Sequence, residues 1–153
     1  MKVLFDGNTS APFMLIGEAP GKTELITKRP FTGRSGQLLR SFLLNYANLS
    51  TDNNLYITNV VKFNPTNNRT PTKLEVQASL PELIEEIKKV NPKLIILCGA
   101  TAHNSLLNIK FANMTIAEFN GYKTYSIFHP AYILRNYKKR TLYQTTIGNI
   151  PKN

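Results

Sequence analysis

Apolar residues fall into short continuous runs, Phe13-Met14-Leu15-Ile16, Leu55-Tyr56-Ile57 leading to Val60-Val61, and Leu94-Ile95-Ile96-Leu97-Cys98, while Tyr122 to Phe128 mixes aromatic and apolar residues with Lys123, Thr124 and Ser126 and suits a fourth strand. Runs of this length, bounded by Gly, Pro and Asn, predict strands covered on both faces. Between the first two, Leu38, Leu39, Phe42, Leu43 and Tyr46 recur at helical spacing, with Ser35 as the expected N-cap. Thr72 with Glu75 and Ser79 with Glu82 each match a capping box, which predicts a short helix near 72–78 and a restart carrying Leu80, Leu83, Ile84, Ile87 and Val90, with Pro81 in its first turn. Helices are also expected over Ala100 to Leu107 and from Arg135 to Ile150. Residues 2–5 read as a short edge strand, residues 6–10 as a turn, and residues 22–34 as a loop rich in Gly and Pro. Strands alternating with helices predict an α/β fold, a three-layer α/β/α sandwich around a central, mainly parallel four-stranded sheet, in one domain spanning 1–153.

In such a sheet the loops after the strands gather at the carboxyl edge. Three of them carry chemistry: Gly17-Glu18-Ala19-Pro20-Gly21 after the first strand, the polar segment from Lys62 to Pro71 after the second, and His129-Pro130 after the fourth. Glu18, Asn59 and His129 therefore converge. The Gly17 to Thr23 segment ends in Gly-Lys-Thr, yet a phosphate-binding P-loop would need its leading glycine at position 16, which is isoleucine. Pro20 removes an amide donor and Glu18 repels phosphate, so a nucleotide triphosphatase is disfavoured.

Charge narrows the partner. Nineteen Lys and Arg against nine Asp and Glu give a formal charge of +10, which points to nucleic acid; a membrane is not expected, because no long basic amphipathic helix is visible. Neither a run long enough to span a bilayer nor a secretory signal is present, so the chain is expected to be soluble and intracellular. The single cysteine, Cys98, lies in a strand and reads as a buried structural thiol. His103, in a helix outside any motif, reads as structural or solvent-facing.

The segments Gly17-Glu18-Ala19-Pro20-Gly21 with Glu24, Arg29-Pro30-Phe31-Thr32-Gly33-Arg34-Ser35-Gly36-Gln37, Tyr56-Ile57-Thr58-Asn59-Val60-Val61-Lys62 with Asn68-Arg69-Thr70-Pro71, and His129-Pro130-Ala131-Tyr132-Ile133-Leu134-Arg135 occur in this order. Together they resemble the family-4 uracil-DNA glycosylases, and the likeness runs from about residue 12 to 140. Members of that family hold an iron–sulfur cluster on four cysteines. Here the upstream pair is absent, the later two positions match Phe63 and Ser79, and Cys98 matches none. The expectation is a glycosylase without metal or organic cofactor.

The resemblance implies roles. Uracil must leave the base stack, be read by its edge and faces, and depart as an anion. Phe31 would stack on the base, with a place in the core as its alternative. Asn59 would read the N3–H and O4 edge, though a strand-end asparagine can also merely cap a turn. Gly17, Ala19 and Glu24 would shape the pocket, His129 would donate to the developing charge at O2, and Glu18 would orient water or stabilise the sugar. Gly21 offers no side chain where some relatives have tyrosine, which leaves room for a larger 5-substituent. Ser35 with the Gly33 and Gly36 amides, Lys62, Arg69 and Arg135 would meet phosphates, and Ile133 or Leu134 would fill the space left by the base. The implied partners are DNA carrying uracil or a related base, and replication or repair proteins. A non-catalytic DNA-binding module is the alternative from another class.

Overall fold

The apolar runs form the parallel centre of the sheet. A computed structural model describes residues 1–152, with strands β1 (Asp6–Gly7), β2 (Phe13–Gly17), β3 (Leu55–Asn59), β4 (Leu94–Cys98), β5 (Ile116–Phe119) and β6 (Tyr122–Ile127) in the spatial order β1-β3-β2-β4-β6-β5. β3, β2, β4 and β6 are parallel, while β1 and β5 pair antiparallel at the two edges. The sheet thus has six strands where four are expected. The first edge strand is Asp6–Gly7, within the expected turn, and residues 2–5 form none. β5 escapes a search for buried runs because its residues alternate between exposed and half-buried.

The helices are α1 (Lys22–Thr27), α2 (Arg34–Ala47), α3 (Lys73–Val90), α4 (Ala100–Leu107), α5 (Pro130–Arg135) and α6 (Arg140–Gly148). Alternate strand residues feed opposite layers, as the period of two requires. Leu15, Ile57, Ile96 and Ile127 pack with Leu39, Leu43, Tyr143 and Ile147 of α2 and α6. Met14, Ile16, Ile95 and Leu97 pack with Val76, Leu83 and Ile87 of α3 and Ala102 and Leu106 of α4. This is the expected three-layer sandwich.

Helix boundaries depart from expectation in four places. The segment expected as one helix from Arg135 to Ile150 is divided: α5 ends at Arg135, Asn136 leaves helical geometry at φ −133°, and a 3-10 turn over Tyr137–Lys139 leads into α6. α1 occupies part of the expected loop; Glu24 sets it by accepting from the Gly21 amide at 3.0 Å. α2 begins at Arg34 behind an N-cap at Gly33, which makes Ser35 its second residue. α3 is one continuous helix: Thr72 and Glu75 form the expected capping box, but Ser79 donates instead to the Glu75 carbonyl at 2.8 Å and Pro81 lies in the interior. An interior proline costs about 3 kcal/mol; burial of Val76, Leu83, Ile87 and Val90 on the sheet offsets it.

The chain leaves β2 toward β3 on one side and β4 toward β6 on the other, so a crevice opens beyond the carboxyl ends of β2 and β4. The site lies there.

Candidate active site at the carboxyl edge

Asn59 ends β3 opposite Gly17, which ends β2. It is 2% exposed, and its side-chain amide has no hydrogen-bond partner among the described residues. Its polar atoms are not among the fully buried unpaired ones, so the amide still meets the crevice and is free to bond a polar ligand. Gly17 clears the space in front of it. A Cβ there would lie 2.6 Å from Asn59 Oδ1 and 2.5 Å from Phe31 Cζ.

Phe31 reaches this place through a strained conformation. Its φ is +56°, in the left-handed region that a bulky residue enters only when its surroundings enforce it. Several contacts do so. Arg40 donates from Nε to the Phe31 carbonyl at 2.8 Å and from Nη2 to the Pro30 carbonyl at 2.7 Å. The Glu24 carboxylate accepts from the Thr32 amide at 2.9 Å and the Gly33 amide at 2.7 Å. Gly36 lets α2 pass so close that a Cβ would stand 2.2 Å from the Phe31 carbonyl carbon. Asp6 braces the assembly by accepting from Arg29 and Arg40, both at 2.8 Å; the two guanidiniums hold its carboxyl below its ordinary range despite burial. Phe31 is therefore both a core residue, 8% exposed, and a wall of the site. Glu24 shapes the pocket through this loop.

His129 caps α5. Its Nδ1 accepts from the Ala131 amide at 3.0 Å, which places the ring proton on Nε2. Burial, and secondarily the charge of Arg135, lower its pKa to about 4, so the ring is a neutral donor near pH 7. Its centroid lies 6.1 Å from that of Phe31, and Gly99, at φ +91°, backs it so closely that a Cβ would be 3.1 Å from the His129 Cβ. Glu18 follows Gly17; its Oε2 accepts from Thr101 Oγ1 of α4 at 2.5 Å. Thr101 is a site residue that sequence reasoning missed, since nothing in its spacing marks it. Ala19 leans on the α3 and α4 core, half-buried.

Other expected residues part company. Lys62 is 5% exposed on the far side of β3, ion-paired with Glu86 of α3 at 2.7 Å. It cannot meet a phosphate, and that expectation is corrected. Ile133 is 0% exposed and packs in the α2 and α6 layer, because the phase of α5 turns it inward; of the two wedge candidates only Leu134 remains. Leu134, Arg135 and Ser35 line one surface groove of about 440 Å³ together with Arg34 and Ala131. The first-turn amides of α2, which lack intrahelical acceptors, add an anion-binding end. Glu24 already occupies the Gly33 amide. Arg69 is exposed but shared, holding Glu75 through two nitrogens at 2.6 and 2.9 Å. His103 is buried, its Nδ1 paired with Ser126 Oγ at 2.6 Å, so it is structural.

Where the resemblance would put cluster thiolates, Phe63 packs on the α3 layer and Ser79 bonds within α3. The only thiol in the sequence, Cys98, is enclosed in β4, and burial pushes its pKa well up. The residues present do not fit a four-thiolate cluster. Among the described residues no helix is long and apolar enough to cross a membrane.

The two histidines make stability depend on pH. Both have folded pKa values below 6.5, His129 to about 4 and His103 by burial. As pH falls from about 6.5 toward 4 the unfolded chain takes up protons that the folded chain does not, and stability is lost. Tm is expected to fall between pH 7 and 5, and to fall less in His129→Asn, whose side chain can still accept from the Ala131 amide.

The family description "Uracil DNA glycosylase superfamily" matches residues 4–147. The chain is 39% identical over 140 residues to a Type-4 uracil-DNA glycosylase of Thermotoga maritima, covering 88% of this chain and 72% of that protein. It is 35% identical over 145 residues to one of Saccharolobus solfataricus, covering 86% and 66%. A DNA polymerase of Bacillus phage SP01 is 27% identical over 164 residues, covering 96% of this chain and 17% of the polymerase.

Proposed function

The chain belongs to the uracil-DNA glycosylase superfamily, and from that premise we propose that it hydrolyses the bond between uracil and deoxyribose in DNA and leaves an abasic site. The observation that carries this reading is the Asn59 side-chain amide, free of hydrogen bonds to the described residues, with the Phe31 ring on one side and a neutral imidazole nearby. An amide oxygen can accept from uracil N3–H while its nitrogen donates to O4. Phe31 supplies a face for the pyrimidine. As C1′–N1 breaks, its electron pair moves onto the base; His129 Nε2–H stabilises the charge gathering at O2 without giving up its proton. Glu18 orients the water that bonds to C1′ and draws off its proton as the sugar loses its cationic character.

The Lys62 amine reaches the Asn59 carbonyl from behind the sheet and is committed to Glu86, so it offers no free nucleophile for a Schiff base with the sugar. The enzyme therefore hydrolyses without cutting the strand. The groove between Arg34 and Arg135, with the +10 charge, supports DNA as the partner. The stretch of phage polymerase similar to nearly the whole chain supports work beside replicating DNA.

The test is single-turnover base release from matched oligonucleotides carrying uracil, 5-hydroxymethyluracil or thymine, with chelator present. Uracil release is expected. Release of the modified base alone would move the function to 5-substituted uracils, and salt-sensitive binding without release would leave a DNA-binding module. Gly17→Ala puts a methyl between Asn59 and Phe31 and is expected to lower uracil release about 100-fold. Because the Phe31 ring it meets is packed in the core, Tm should fall as well; equal binding of undamaged DNA by both forms checks that the groove is intact.

A further inference from the structure

We propose that Lys62 is a positioning residue for base recognition: from behind the sheet its ammonium clamps the backbone carbonyl of Asn59 and so fixes the amide that reads the base. This rests on the reading of Asn59 given above. An ammonium has three donors, and all are committed, to the Asn59 carbonyl at 2.5 Å, Thr58 Oγ1 at 2.8 Å and Glu86 Oε1 at 2.7 Å. None is left for DNA.

The clamp is itself anchored. The other oxygen of Glu86 accepts from the Tyr56 hydroxyl at 2.6 Å, and the Tyr56 ring stacks on Phe5 at 4.8 Å with 9° between planes. The Val3 amide donates to the Lys62 carbonyl at 2.7 Å. A rigid frame of α3, β3 and the N-terminal segment thus ends on one atom, the carbonyl of the residue whose side chain faces the crevice. The same four-residue stretch also reaches the carboxylate loop. The Val60 amide donates to the Gly17 carbonyl at 2.9 Å and the Val61 amide to the Glu18 carbonyl at 3.0 Å. Moving Lys62 would shift the base reader and the Glu18 backbone together.

A buried ion pair is a poor source of stability, since the cost of stripping water from both charges often equals their attraction, and apolar replacements can fold as well. Such a pair is better explained by what it holds in place. Burial pulls the ammonium pKa down and Glu86 pulls it back.

The test uses the double variant Lys62→Met/Glu86→Gln, which leaves no lone buried charge and keeps an acceptor for Tyr56. Single-turnover uracil release at saturating enzyme is expected to fall at least about tenfold, while DNA affinity and the slope of log affinity against log salt stay as in the wild type. A slope shallower by about one would mean that Lys62 meets a phosphate after all, and an unchanged rate would mean that the clamp positions nothing; either overturns the proposal. The side-chain amide signals of Asn59 in ¹⁵N spectra need no turnover. They should shift or broaden in the double variant, and unchanged signals also overturn the clamp. A wild type that releases no uracil sinks the functional reading alone, and the clamp is then judged on those signals. If the double variant fails to melt cooperatively, Tyr56→Phe, which removes one anchor of Glu86 without altering charge, serves in its place. It should lower release about threefold with an unchanged salt slope, and an unaltered rate with unaltered Asn59 signals counts against the proposal.

Discussion

His129→Ala is expected to lower single-turnover uracil release by about 10²–10³-fold, the usual cost of deleting one donor aimed at a developing oxyanion, while DNA affinity changes by no more than about twofold. The asymmetry follows from timing. The imidazole N–H meets little charge at O2 before the glycosidic bond stretches and most of it afterwards, so its loss falls on the transition state. Alanine also removes the helix cap given by Nδ1 to the Ala131 amide, so His129→Asn is the companion variant: it restores a cap without a donor in the same place and should be nearly as slow. The folded pKa of about 4 adds a second readout. Protonation of His129 should leave no inflection in the rate near pH 6.5, and an NMR titration should find the ring neutral from pH 8 down to about 5. A rate that rises with protonation near pH 6.5 would argue for an imidazolium acid and against this assignment.

Glu18→Gln should reduce release by about 10²–10⁴-fold, the range ascribed to a positioned base or charge in such steps. Glutamine is isosteric and can still accept from the Thr101 hydroxyl, the one side-chain hydrogen bond of Glu18 among the described residues, so the change removes charge and basicity with the least disturbance of the loop. Thr101→Val tests the support: with the carboxylate intact but untethered, the loss should be smaller, about tenfold. The decisive comparison is kcat against DNA affinity for each variant. A Glu18→Gln enzyme within about threefold of wild type would assign water activation elsewhere.

The parallel strands and the loops after them are legible because three of the strands, β2, β3 and β4, are rich in apolar residues and end at Gly or Asn, or just before Gly, and β6 is rich in aromatic and β-branched residues. The topology then brings Glu18, Asn59 and His129 to one edge without further information. What escapes has local causes. α1 is six residues long and too short to show a helical period. Pro81 signals a helix start by local preference, and the burial of residues far away in the chain overrules it. Lys62 follows Asn59 by three positions and gives no sign of its partner; yet Glu86 lies between Leu83 and Ile87, which α3 turns inward, and a carboxylate beside such positions calls for polar partners. Ile133 follows Pro130 at the spacing of an inward helical residue. The helical phase carries more weight there than the family pattern that suggests a wedge.

The replacement of cluster positions by Phe63 and Ser79 bears on where such an enzyme can operate. A glycosylase whose pocket loop is tied by Glu24 and Arg40 draws nothing from the iron supply of a cell for that loop, and awaits no cluster-building machinery before it is active. Oxidants that dismantle iron–sulfur centres meet here one thiol, closed inside β4. The proposed uracil release should therefore be equally fast with and without an iron chelator.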